Sequence, residues 1–136
     1  MSENKIHFKV ITHDKIVFES DVDAIYTKGV DGEFGVLYGH VPFMSALDIG
    51  ITRVEKDGSM EYISTIGGVF QMKDNNAVIL TEVAERGGDI DIARAQHAKE
   101  RAEARIGNPD VTDDVKRATM ALAKAMVRLK AAGKAR

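Results

Sequence analysis

Three glycines at positions 32, 35 and 39 are spaced closely enough to suggest a backbone cradle for phosphate. Such cradles end in a Lys-Ser/Thr pair or open a helix, because the positive potential comes from there. No such pair follows and no helix opens here, so the three are read as turn residues that permit positive φ. Glu33 and His40 are residue types that move protons. No nucleophile or third orienting group accompanies them, which argues against catalysis. His7, His13, His40 and His97 lack metal-ligand spacing, so no metal is expected. The chain has no cysteine, which removes thiolate zinc sites, disulfides and cysteine nucleophiles together.

The cations near the C-terminus are more informative. Arg94 and Arg101 are seven residues apart, on one face of a helix, and Lys124 and Arg128 are four apart on another. If those helices pack antiparallel, the four converge into a basic pocket. Its charge-assisted hydrogen bonds would suit a polyphosphate. A plainer reading stands beside it: Asp91 and Arg94 form a local helix pair worth about a few tenths of a kcal/mol.

Two kinds of element must position these residues. From Lys5 to about Arg86 the chain reads as strands. Ile6, Phe8 and Val10 alternate with His7 and Lys9; Ile16 and Phe18 repeat the pattern, and Met60, Tyr62, Ser64 and Ile66 follow it loosely. Turn signals fall at His13-Asp14, Asp31-Gly32, Asp57-Gly58, Gly67-Gly68 and Asp74-Asn75-Asn76, which predicts an antiparallel sandwich or barrel. At Asp89 the period changes. Asp89 is the expected N-cap, with Asp91 in the first turn, and the helix runs to Ile106 before Gly107-Asn108-Pro109 breaks it. Thr112, Asp113 and Asp114 start a second helix with a seam of Val115, Ala118, Leu122, Ala125, Leu129 and Ala132, ended by Gly133.

Twelve alanines lie between Asp89 and Arg136, so this hairpin is expected to be helical yet weakly docked, because alanine buries little area. A weakly docked element is one that a ligand can tip. The expected units are therefore 1–88, a β-sandwich, and 89–136, an α-helical hairpin. Residues 1–88 carry 8 Lys+Arg against 14 Asp+Glu, a balance of −6; residues 89–136 carry 11 against 7, a balance of +4. Halves of opposite sign imply different partners or mutual contact. No apolar run approaches the roughly 18 residues of a spanning helix, and residues 1–5 show no secretion signal.

Asp31-Gly-Glu-Phe-Gly-Val-Leu-Tyr-Gly-His-Val-Pro42 resembles the signature loop of epsilon subunits of bacterial F-type ATP synthases. Ser64-Thr-Ile-Gly-Gly-Val-Phe70 followed by Val78-Ile-Leu-Thr-Glu82 is similar to the family's second sandwich signature. Ile90-Asp-Ile-Ala-Arg-Ala95 is similar to its helix start. One departure is Tyr38, where proline is commonest; it leaves the loop freer in φ. The resemblance implies a sandwich of about ten strands and a helical hairpin in a non-catalytic rotor subunit, peripheral to the cytoplasmic face of the bacterial plasma membrane. It also implies the gamma subunit and the c-ring as partners, with Asp31, Glu33 and His40 in the loop that meets them. The helices would either fold down or extend into the alpha/beta catalytic head and stop hydrolysis.

In relatives that bind ATP on the folded helices, the helix-start motif holds the adenosine end. By position that implies Ile90, Asp91, Arg94 and Ala95, with Glu85 upstream. The phosphate side falls on Arg101, Lys124 and Arg128, where Lys124 replaces a usual arginine and loses its bidentate fork. No cofactor is required; ATP is a regulatory ligand in this reading. The rival class is a small-ligand-binding sandwich with no role in a rotary motor, which the absence of a nucleophile, metal set or cofactor motif disfavours. Nucleic acid binding is disfavoured by the pI of about 6.1 and the lack of interleaved aromatics.

Overall fold

The computed structural model describes residues 4–108 and 114–135. Alternation does what the pattern demands in strand β1 (Ile6–Ile11): Ile6, Phe8 and Val10 are fully buried while His7 and Lys9 face outward. Seven further strands follow: β2 (Ile16–Val22), β3 (Ala24–Gly29), β4 (Gly32–Leu37), β5 (Phe43–Lys56), β6 (Ser59–Lys73), β7 (Asn76–Leu80) and β8 (Ala84–Arg86). They form one continuous hydrogen-bonded path, β2-β1-β7-β6-β5-β3-β4, with β8 pairing off β6.

Eight described strands do the work of the ten expected because β5 and β6 are 14 and 15 residues long, against about 5–6 for an ordinary strand. Each therefore serves both layers of the sandwich. One pair departs from the expected antiparallel arrangement, since β1 runs parallel to β7, with Phe8 opposite Ala77 and Val10 opposite Ile79. The sheet is mixed.

The crossing between layers lies at Asp48 and Gly67. Before it, Leu47 of β5 and Phe70 and Met72 of β6 face the core; beyond it, Val54 and Ile63 do. Both strands change which alternate residues point inward. Gly67-Gly68, expected as a turn between strands, is instead a kink inside β6, with φ of +71° and +112°. Met60, Tyr62, Ser64 and Ile66 consequently mark the outer face of β6, and Ile63 lines the interior. Among the buried polar groups, Thr27 and Thr52 share a hydroxyl hydrogen bond at 2.9 Å, and Thr52 meets Thr65 at 3.2 Å. Buried hydroxyls paired in this way avoid the penalty of an unmet donor.

A pH-sensitive tie joins β1 to β2. His7 lies between Asp21 (Nδ1 to Oδ1, 2.8 Å) and Glu19 (Nε2 to Oε2, 2.8 Å). The Asp21 bond first and the Glu19 bond second hold the imidazole pKa above its usual 6.5. A raised folded pKa means the tie stabilises fully below 6.5 and is lost as pH rises through the folded value. Urea melts of wild type and His7→Gln should therefore differ more at pH about 5.5 than at pH about 9. A difference that grows with pH would contradict the assignment.

A 3-10 turn (Gly87–Asp89) leads into helix α1 (Ile92–Gly107), and α2 (Val115–Ala135) returns antiparallel along it. Asp91, not Asp89, caps α1: its carboxylate accepts from the Arg94 N–H at 3.0 Å. The reason is local, since Asp89 is spent in the 3-10 turn. Asp114 plays the equivalent part for α2, accepting from the Arg117 N–H at 3.1 Å. Pro109, Thr112 and Asp113, expected at the break and the second start, lie outside the described residues. Gly133 does not stop α2, which continues to Ala135. The helices meet through Ala95, Ala102, Ala118 and Ala125, all buried. The expected seam holds at Ala118, Ala125 and Ala132, while Val115 is exposed and Ala131 is added to the buried set.

Candidate functional site

Strand β8, the 3-10 turn and both helices enclose a cavity of about 600 Å³. Its walls contain Glu85, Ile90, Asp91, Arg94, Ala95, Arg101 and Arg128. Each arrives by a separate local rule. Glu85 is carried by β8. Ile90, 3% exposed, is wedged against Ala131, Ala132 and Ile51, which pins the joint between turn and helix. Asp91 is held at the α1 N-cap, and the 3.6-residue period then brings Arg94, Ala98 and Arg101 to one face. From the opposite helix Arg128 reaches across, its Nε donating to Glu85 Oε1 at 2.8 Å.

Seven of the eight expected residues therefore meet in one cavity. Lys124, half-buried one turn before Arg128, does not line it. Asp89 and Ala98 do, and sequence reasoning missed both: by type Asp89 reads as a helix cap, and Ala98 completes the helix face as Arg94 plus four. The titratable lining is three carboxylates (Glu85, Asp89, Asp91) against three guanidiniums (Arg94, Arg101, Arg128). Guanidiniums offer paired N–H donors to phosphate oxygens, and carboxylates accept from ribose hydroxyls or an amine. Among the described residues no serine, threonine, histidine or lysine lines the cavity, so its charged groups are carboxylates and guanidiniums alone.

The glycine-loop region separates rather than gathers. Asp31 stands at the tip of the β3–β4 hairpin, and Glu33 opposes Lys28 across it. Four residues of extended chain, about 13 Å, then run to Leu37, and His40 lies beyond. There its Nδ1–H donates to the Val41 carbonyl at 2.7 Å and its ring packs 4.7 Å from Phe43. Glu33 and His40 cannot act as an acid/base pair at opposite ends of one strand. His40 instead neighbours Leu37, Tyr38, Val41 and Met44, which are 58%, 49%, 69% and 64% exposed. That apolar surface was not legible from residue type, because leucine, valine and methionine ordinarily read as core. Among the described residues no group of three His, Cys, Asp or Glu stands close enough to hold a metal ion, and no helix is long and apolar enough to cross a membrane.

Comparison with known proteins finds two family models that match the chain. A family model described as the ATP synthase delta/epsilon chain beta-sandwich domain matches residues 5–87. Another, the ATP synthase delta/epsilon chain long alpha-helix domain, matches residues 89–133. The ATP synthase epsilon chain of Nitratidesulfovibrio vulgaris (strain DP4) is 41% identical over 133 residues, covering 98% of this chain and 99% of that one. The same-named protein of Desulforamulus reducens is 40% identical over 123 residues, covering 90% and 93%. Among solved structures, a chain of the Euglena gracilis mitochondrial ATP synthase OSCP/F1/c-ring assembly superimposes with a TM-score of 0.78 at 28% identity, over 95% of this chain and 81% of that one. A chain of the Tetrahymena thermophila mitochondrial ATP synthase central stalk and c-ring gives 0.62 at 14% identity, over 97% and 99%, a likeness of fold alone.

Proposed function

The chain belongs to the delta/epsilon-chain family of ATP synthases, and from that premise we propose that its helical hairpin regulates the motor by folding down around ATP or extending to block hydrolysis. It is a non-catalytic subunit of the rotor stalk, peripheral to the membrane, and its partners are gamma, the c-ring and the catalytic head. In the proposed reading the stalk lies at the cytoplasmic face of a bacterial plasma membrane. The sandwich would meet gamma and the ring through the Asp31–Met44 region, where polar Asp31, Glu33 and His40 stand with exposed Leu37, Tyr38, Val41 and Met44.

The observation that carries the ATP reading is the cavity itself. Residues from β8, α1 and α2 supply its walls, so an occupant would bridge sandwich and both helices and favour the docked state by its differential affinity. Arg94, Arg101 and Arg128 suit the triphosphate; Asp91, Asp89 and Glu85 suit the sugar and base edge. The phosphates would take Arg128 from Glu85, exchanging one charged bond for another.

Calorimetry on the intact chain tests this. Arg94→Ala should weaken ATP binding by about 1.5–3 kcal/mol, the usual scale of a hydrogen bond to a charged group. Asp91→Asn keeps the helix cap while removing the charge, so its loss of affinity reports on ligand contact rather than on fraying. Lys99→Ala, outside the cavity, should bind as wild type does. Affinity that is negligible in wild type and every variant would reduce the motif to a helix start.

A further inference from the structure

On the outer face of the sandwich, Tyr26 of β3, Arg53 of β5 and Tyr62 of β6 stand side by side in register. The Arg53 guanidinium lies over the Tyr26 ring at 5.0 Å, and the Lys134 ammonium of α2 lies over the Tyr62 ring at 5.6 Å. Tyr26 in turn rests on Gly35 of β4, where any Cβ would come within 2.8 Å of its ring. Arg53 of this row, with Lys134 above Tyr62, lines a cavity of about 500 Å³ between sheet and α2. Its charged lining is Lys28, Arg53, Lys130 and Lys134 against a single carboxylate, Glu33.

Two of the cations come from the sandwich and two from the hairpin, so docking brings like charges together. Among the described residues, Arg53, Lys130 and Lys134 have no carboxylate within 4.0 Å, and Lys28 has Asp48 at 3.9 Å. The aromatic faces orient Arg53 and Lys134 and do not cancel their charge. Cations held on fixed supports around a hollow, with an acid deficit, form a receptor for a compact polyanion, whose oxygens would accept from all four.

We propose that this cavity is an anion site for a small polyvalent phosphate, which bridges sandwich and hairpin and favours the docked helices. It is separate from the cavity of Arg94 and Arg128. Arg128 and Lys130, two residues apart on α2, point about 200° from one another around the helix, and the two linings share no residue. The site therefore stands or falls independently of ATP binding.

Inorganic pyrophosphate, which lacks a base and a sugar, is the probe. Titration of the intact chain, followed by calorimetry or by amide shifts of Arg53 and Lys130, should show binding that weakens as salt rises. Lys130→Gln with Lys134→Gln, both at exposed helical positions, should lower the affinity about tenfold or more. Lys130→Arg should retain it, and Arg94→Ala should leave it unchanged. Loss of pyrophosphate binding in Arg94→Ala, with retention in the Lys130/Lys134 variant, would move the anion to the other cavity and overturn the proposal. Binding of an acidic peptide without any binding of pyrophosphate would overturn it as well, since the site would then be a protein contact.

Discussion

Gly68→Ala should destabilise the chain by about 3–5 kcal/mol, a large share of the roughly 5–15 kcal/mol that holds an ordinary domain folded. Two costs add. Gly68 has φ +112°, a conformation that costs an L residue about 1–3 kcal/mol. A Cβ there would also stand 2.2 Å from the Leu80 carbonyl oxygen and 3.0 Å from Thr81, and neither can rotate away because one is backbone and the other is hydrogen-bonded through its N–H to Ile11. Relief requires β6 and β7 to part where Val69 opposes Leu80, beside fully buried Phe70 and Ile79. Gly58→Ala is the matching control: φ is +82°, but nothing lies within 4 Å of its Cβ, so only the conformational cost applies. Urea melts on both variants decide the matter. Equal losses, or a Gly68 variant within about 1 kcal/mol of wild type, would show that the kink does not set the strand crossing.

The same kink explains what was and was not legible beforehand. Local rules read well. The alternation of Ile6, Phe8 and Val10 needs only the pleat, and Arg94 and Arg101 share a face because seven residues are nearly two helical turns. Errors came where tertiary contacts choose between equal local options. Gly67-Gly68 reads as a turn in any isolated segment, and only the neighbouring strand β7 makes it a bend within one long strand. Asp89 and Asp91 are equally good caps by type; the 3-10 turn consumes the first. The pairing of β1 with β7 joins segments that are distant in sequence, and no alternation announces a parallel partner. The cavity of Lys28, Arg53, Lys130 and Lys134 was unreadable for the same reason, as its members come from three elements with no common spacing.

Removing the second helix and prying it loose should push ATP hydrolysis in opposite directions. If the extended hairpin is the brake, deleting residues 110–136 abolishes it, and hydrolysis by the assembled enzyme should rise. Gly87→Ala should do the reverse. Gly87 sits at the joint, and a Cβ there would meet the Ala131 carbonyl at 2.6 Å, the Ala135 Cβ at 2.8 Å and the Tyr62 carbonyl at 3.1 Å. Its φ lies outside the left-handed region, so alanine is tolerated once α2 has left. The overpacking against α2, about 1–3 kcal/mol, thus falls on the docked state, while the milder approach to the Tyr62 carbonyl is common to both states and cancels. It should shift the balance toward extension about tenfold or more. Hydrolysis should fall, and ATP should protect less.

Charge then tests what holds the extended rod. Lys116 and Arg117 are exposed and face no carboxylate within 4.0 Å among the described residues. Reversing both to glutamate should weaken inhibition, more at low salt than at high, because exposed pairs are worth only about 0–1 kcal/mol each and are screened. Arg128 is unsuitable for that test, since its bond to Glu85 belongs to the docked state. Lys5 is equally unsuitable as a silent control, being tied to Asp23 at 2.5 Å and Asp57 at 2.8 Å. Exposed Lys15 serves instead. Steady-state ATPase assays on reconstituted complexes read all four variants. Should deletion leave hydrolysis unchanged where the wild-type complex is inhibited, or should Gly87→Ala raise it, the hairpin of this chain is not the brake.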